Sequence, residues 1–236
     1  MNSFALWYDK GHYTADGHTF DIGITTSDAI NNYKSGKNPI KCGLSNEYSN
    51  GNGSLMKILP IAFYIKKYFD SQLFENSEVI NIIYNLSSLT HSHKRSLIAC
   101  VIYTAIALNL INDMNIEEAI NKALKDSSDY YENEKEINNY KRIFDSDFKK
   151  LQETKIESSG YVVHTLEASI WILLNTSNYK DAVLKAVNFG DDTDTTAAVT
   201  GGLAGLYYGM DNIPSKWIDT LINKELIINI CYNFFK

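Results

Sequence analysis

Three prolines stand in 236 residues (Pro39, Pro60 and Pro214), so few positions forbid a continuing helix. Cysteine is equally scarce. Cys42, Cys100 and Cys231 are odd in number and scattered, which argues against a disulfide framework and offers no metal-ligand spacing; a reducing, cytoplasmic setting is expected. Cys100 lies in an apolar run and reads as a small core residue. Basic residues are outnumbered: 22 Lys and Arg against 28 Asp and Glu give a net charge of −6. That balance lacks the positive field that non-specific nucleic-acid binding needs. No long block of one sign occurs, and charged residues make up only 21% against 44% hydrophobic, a composition that buries a core. No apolar run is expected to reach the roughly 18 residues of a membrane span, and the first residues carry no basic-then-apolar leader pattern. No membrane partner is expected.

What the chain does have is helical periodicity. Ala29, Ile30 and Tyr33 recur at helical spacing after Thr25-Thr26, with Gly36 as a stop. Leu55, Ile58, Leu59, Ala62, Ile65 and Phe69 form one stripe in which Pro60 marks a first turn. Further helices are expected over 77–89, 96–111, 162–174, 195–209 and 215–234. Two more open at Asn115, with Glu118 three residues on, and at Asn178, with Asp181. Residues 126–160 are the most polar; they read either as a helix over 134–148 or as a flexible excursion. Residues 1–24 read as a short hairpin or irregular arm. Strand alternation is sparse, and an all-α, multi-helix single domain over 1–236 is predicted.

Two loops carry chemistry. In Gly190-Asp191-Asp192-Thr193-Asp194-Thr195-Thr196, three carboxylates fall within four positions beside three hydroxyls. Asp192, Asp194 and Thr195 can supply hard oxygen ligands to Mg²⁺; alternatively one Asp caps the next helix and the others stay solvated. Glycines at 201, 205 and 209 then lay a small stripe along that helix for close packing. In Asn50-Gly51-Asn52-Gly53-Ser54-Leu55-Met56-Lys57, conformationally free residues precede a helix. Backbone N–H groups there can cradle phosphate oxygens, or the segment is an ordinary inter-helix loop. His91-Ser92-His93 offers metal binding, catalysis or capping; the residues alone favour capping. Asp16 and Asp21 contribute to turns or to a cleft rim.

Taken together these segments resemble the ADP-ribosylglycohydrolase family, in the family's order. Trp7-Tyr8-Asp9-Lys10-Gly11-His12-Tyr13 leads into Phe20-Asp21-Ile22-Gly23-Ile24-Thr25-Thr26. Gly51-Asn52-Gly53-Ser54-Leu55-Met56-Lys57 with Pro60 resembles the asparagine-glycine loop, with Lys57 where arginine is usual. Thr90-His91-Ser92-His93 resembles the central histidine motif. Gly160-Tyr161-Val162-Val163, Leu166 and Trp171 lead to Asn188-Phe189-Gly190-Asp191-Asp192-Thr193-Asp194-Thr195 and to Gly201-Gly202-Leu203-Ala204-Gly205. Asp191 stands where a second glycine is common.

The resemblance implies a compact, orthogonal all-α domain whose Mg²⁺-dependent cleft hydrolyses the bond between ADP-ribose and an acceptor, a modified protein or a small molecule. It implies Asp192, Asp194 and Thr195 as ligands to one or two Mg²⁺ ions, and Asn52, Gly53 and Ser54 along the diphosphate. It places His91 or His93 near the substrate ribose or adenine. The family's other metal half, a Thr-Asp-Asp-Thr run, is not found in this chain. A domain that begins late is therefore expected, without the N-terminal helices, the first metal motif and the usual catalytic acid, so no catalytic residue is assigned. The alternative expectation is a catalytically impaired ADP-ribose binder, or a partner-dependent remnant that self-associates over exposed apolar surface.

Overall fold

The computed structural model describes residues 1–234. Eleven α-helices are described among them: α1 Asn2–Lys10, α2 Ile24–Lys34, α3 Pro60–Phe69, α4 Ser77–Ser88, α5 Lys94–Ile111, α6 Ile116–Tyr130, α7 Val162–Leu174, α8 Tyr179–Val187, α9 Thr193–Tyr208, α10 Ser215–Asp219 and α11 Lys224–Phe234. The described residues contain no extended strand, only two isolated bridges, and the protein is all-α as expected.

One helix organises the rest. From Ser96 to Leu108 every residue of α5 is buried, so it is apolar on all sides and sits at the centre. Around it pack α3, α4, α6, α7 and α9. By length and composition α5 is long and apolar enough to cross a membrane, contrary to the expectation that no run would be, yet it lies buried inside this bundle. Helix α7 is nearly as enclosed. Helices α8 and α9 pack side by side with Gly201 and Gly205 facing Tyr179 and Val183, but a β-carbon at either would make only ordinary contacts of 3.4–3.8 Å. The glycine of α9 without room for one is Gly202, outside the expected stripe, where it would lie 2.8 Å from the Tyr103 hydroxyl and 2.9 Å from Leu59. Gly209 is not part of that stripe; it ends the helix.

Several helix starts follow their caps. Asn115 accepts from the Glu118 N–H and Asn178 from the Asp181 N–H, as predicted. Pro60 opens α3 at its first turn. Leu55 and Ile58, placed on that stripe by periodicity, instead lie in and just after a 3₁₀ turn ahead of the helix, though both are buried. Two further departures lie in residues 1–24 and 215–234. Residues 1–24 begin with helix α1, which buries nothing, before an irregular arm. The final stretch, expected as one helix, breaks between α10 and α11, and no residue of α11 is buried.

Neither an α-helix over 134–148 nor a flexible excursion describes the polar section. It folds as 3₁₀ turns that insert Tyr140, Ile143 and Phe148 into the core. Arg142 pins it to α7 through Glu167, 3.1 Å away and only 2% exposed. Burial raises the Glu167 carboxyl to about 7, with Arg142 opposing and Glu157 adding to the rise. A folded value above the unfolded one favours the folded chain at low pH, and that advantage fades as pH rises from 4.5 through about 7. Glu167→Gln should flatten this slope and leave the variant more stable than the parent by roughly 3 kcal/mol at pH 8. Denaturant midpoints of both proteins at pH 4.5 and pH 8 measure it; parallel pH dependence in the two would contradict it.

Candidate functional site

The asparagine-glycine loop is built into the bundle. The Asn52 N–H donates to the Gly160 carbonyl and the Val162 N–H to the Asn50 carbonyl, 2.9 Å each, which makes the antiparallel bridge from Gly51 to Tyr161. Ser96 donates to the Asn50 side-chain oxygen from α5. The Asn52 side chain, 7% exposed, donates to Thr165 Oγ1 at 2.9 Å and to Asp192 Oδ2 at 2.8 Å. One amide therefore ties the loop to α7 and to the start of α9, elements more than a hundred residues away in sequence.

On the loop's other side stands His91, 2% exposed. It is positioned by a second zipper, in which the Leu44 N–H donates to the Thr90 carbonyl and the Ser92 N–H to the Leu44 carbonyl. A β-carbon on Gly53 would lie 2.9 Å from His91 Cε1 and 3.1 Å from Thr26 Oγ1, so only glycine lets the loop, the imidazole and α2 meet there. Lys57 donates to the Gly53 carbonyl at 2.9 Å and to the Thr90 hydroxyl. Burial draws its amine down to about 8, and burial together with the Lys57 charge holds the His91 imidazole down to about 3. His91 is therefore neutral across the physiological range.

Three helix N-termini converge on Gly51–Gly53: α2 through Thr26, α7 through Tyr161 and α9 through Asp192. None of the three has a side-chain cap, which is also true of α1, α3 and α10, whereas α4, α5, α6 and α8 are capped. Uncapped N-termini carry partial positive charge and suit an anion. Asp192 occupies the N-cap position of α9, but its carboxylate faces Asn52 rather than the helix. Asp194 is exposed and Thr195 buried in the first turn that follows. Two carboxylates and a hydroxyl at one helix start are hard oxygen donors, and they fit a Mg²⁺ ion that keeps several waters. The departure at Asp191 also has a backbone reason: its φ is +51°, next to Gly190 at +90°. That region favours glycine and admits Asp.

The other predicted site residues separate. Ser54 is fully buried behind the loop, 3.6 Å from Cys100 Sγ, so it supports the loop rather than lining it. His93 caps α5, its Nδ1 accepting from the Arg95 N–H, and its Nε2 faces Glu47 at 3.6 Å. Glu47, His93 and Glu136 bring three ligand atoms within 4.8 Å of one another. Arg95, however, already bridges the two glutamates at 2.8 Å each and fills the role a cation would take. Asp16 turns back onto His18 within the exposed arm. The expectations did not include Thr26, Thr165, Arg95 or a contact between Asn52 and Asp192. A hint of Lys57's role was available, since it is the one cation beside the apolar positions Leu55, Ile58 and Leu59.

An all-α scaffold thus brings three helix N-termini and an acidic turn together at one glycine loop. The family profile described as ADP-ribosylglycohydrolase matches residues 1–236, and the chain belongs to that family. It is 33% identical over 230 residues to the ADP-ribosylarginine hydrolase Tri1 of Serratia proteamaculans, covering 97% of this chain and 58% of the relative. It is 28% identical to the protein of the same name from Pseudomonas putida, covering 99% and 58%. A solved ADP-ribosylglycohydrolase-related protein complex superposes with a TM-score of 0.66 at 25% identity, over 86% of this chain and 65% of that one. The chain thus spans somewhat over half the length of the curated relatives it matches.

Proposed function

We propose that the chain binds ADP-ribose at the Asn52–Gly53 loop and serves a Mg²⁺-dependent hydrolase that frees ADP-ribose from a modified acceptor, with an arginine side chain as the favoured acceptor. The observation that carries this reading is the meeting of three uncapped helix N-termini at Gly51–Gly53, where a diphosphate would gain from each. Family membership supports the reaction class, and the names of the Serratia and Pseudomonas relatives support arginine. Three unpaired cysteines suit a reducing, cytoplasmic location.

In this reading Asp192, Asp194 and Thr195 hold the metal. When bound, Mg²⁺ supplies positive charge that offsets the diphosphate and polarises the linkage to be cut. Asn52 orients the Asp192 carboxylate through its amide, leaving the second carboxylate oxygen for the ion. The Gly53 backbone lets the diphosphate approach without a side chain in the way. Neutral His91 presents its Nε2 towards Gly51 and Gly53, where it can donate to a ribose or phosphate oxygen.

Isothermal titration with ADP-ribose, with and without Mg²⁺, tests the reading. Saturable binding that tightens with Mg²⁺ is expected, and Asp192→Ala should lose the metal's contribution while keeping part of the metal-free affinity. Absence of saturable binding in both conditions, from protein shown to be folded, would overturn it. Release of ADP-ribose from an ADP-ribosylated arginine peptide is the assay for the reaction itself.

A further inference from the structure

We propose that Lys57 is a positioning residue that sets the ring tautomer of His91 through Thr90, so that His91 offers a hydrogen at Nε2 to whatever lies over the glycine loop. The part of this that concerns ligand affinity rests on the ADP-ribose reading; the tautomer itself does not.

The assignment comes from counting donors and acceptors. An ammonium has three donors and no acceptor, so Lys57 must donate to both of its partners, the Gly53 carbonyl and Thr90 Oγ1. Thr90 is fully buried, and its hydroxyl has one other polar neighbour, His91 Nδ1 at 2.9 Å. With Lys57 approaching a lone pair, the Thr90 hydrogen has a single acceptor to reach, and that acceptor is Nδ1. If Nδ1 carried the hydrogen instead, it would point at the same oxygen and leave a buried hydroxyl hydrogen with no acceptor, which costs free energy. Nδ1 is therefore bare, and the neutral ring carries its hydrogen on Nε2.

Nε2 faces the positions that β-carbons of Gly51 and Gly53 would occupy, at 3.6 and 3.5 Å. No hydrogen-bond partner for Nε2 is found among the described residues. Nε2 is thus an unpartnered donor at the face of the loop, aimed over backbone that carries no side chains, which is where a ligand oxygen would be met. Lys57 does two things from behind the loop. It fixes the Gly53 carbonyl, and through Thr90 it points the imidazole. The ring of Phe4 covers the ammonium from α1 at 5.6 Å, so the first helix closes over this device.

Histidine-selective ¹⁵N labelling and long-range ¹H–¹⁵N correlation read the tautomer directly, without ligand. The expected wild-type signature is a single Nε2–H form for His91. Thr90→Val, which removes the relay but keeps Lys57, should shift His91 towards a mixture or the Nδ1–H form, and Lys57→Met should do the same. Lys57→Arg, which restores a cationic donor, should keep the wild-type signature. By calorimetry Lys57→Met should weaken ADP-ribose binding about tenfold or more, the scale of one charged hydrogen bond. An Nδ1–H form in the wild type, or an unchanged tautomer in folded Thr90→Val, overturns the proposal. If Lys57→Met does not fold, Thr90→Val and the wild-type spectrum still decide it. Failure of the wild type to bind ADP-ribose would overturn the functional reading and leave the tautomer result to stand or fall alone.

Discussion

Asn52→Asp should destabilise the chain by about 4 kcal/mol at pH 8 but by only about 1–2 kcal/mol near pH 4. The wild-type amide nitrogen donates to Asp192 Oδ2 at 2.8 Å and to Thr165 Oγ1 at 2.9 Å. The aspartate variant loses the donor and sets a second carboxylate against the first. At that separation, with an effective dielectric near 20, repulsion between two full charges is roughly 6 kcal/mol, reduced here because Asp192 is partly solvated. The pair escapes by holding one proton. One carboxyl of the variant then has a folded pKa above its unfolded value near 4, so the folded chain binds the extra proton. Stability is retained below that unfolded value and lost as pH rises above it. Asn52→Ala is the control: it removes the donor without adding charge and should lose about 1–2 kcal/mol with little pH dependence. Denaturant unfolding of the three proteins at both pH values measures this. An equal loss for Asn52→Asp at pH 4 and pH 8 would mean that the two side chains part freely, and that this contact does not hold the site together.

That contact was also the hardest part of the site to read from the sequence. Asn52 and Asp192 were each legible as chemistry: an asparagine between glycines, and an acid in a dense polar turn. Nothing in local pattern says that residues 140 apart share a hydrogen bond, because the pairing follows from how α7 and α9 pack on α5. Helices with an apolar face were legible, since periodicity of 3.6 and side-chain caps such as Asn115 are local signals. Helix α1 and the turns over 131–160 were not. The first buries no residue, and the second is held by scattered anchors, Tyr140, Ile143 and Phe148, at spacings that match no regular period. The histidine pair shows the same divide. Both share one short motif, yet capping claims His93 while the backbone zipper turns His91 towards the glycine loop. Local sequence gives each an equal claim, and the register between Leu44 and Thr90–Ser92 decides.

That register makes Gly43 a position where one added carbon should open the scaffold beside the site. Gly43→Ala is expected to lose about 4 kcal/mol of stability and, in the fraction that folds, to weaken ADP-ribose binding. An added β-carbon would stand 2.4 Å from the Ser88 carbonyl oxygen, 2.8 Å from Thr90 C and 2.9 Å from His91 N. All three are backbone atoms, so no side-chain rotation relieves the overlap; the segments must separate. Separation strains the bonds from the Gly43 N–H to Ser88 and from Leu44 to Thr90, and that of the Ser92 hydroxyl to the Gly43 carbonyl. His91 sits at the middle of this zipper, so its ring moves with it. Gly205→Ala supplies the contrast. There the new carbon would meet Tyr179 at an ordinary 3.8 Å inside α9, and the helix should gain up to about 1 kcal/mol. Thermal unfolding ranks the two variants, and histidine spectra report whether His91 has moved. A Gly43→Ala protein as stable as its parent would show that the 43–44 segment can shift without cost, and that the imidazole is positioned by something other than this zipper.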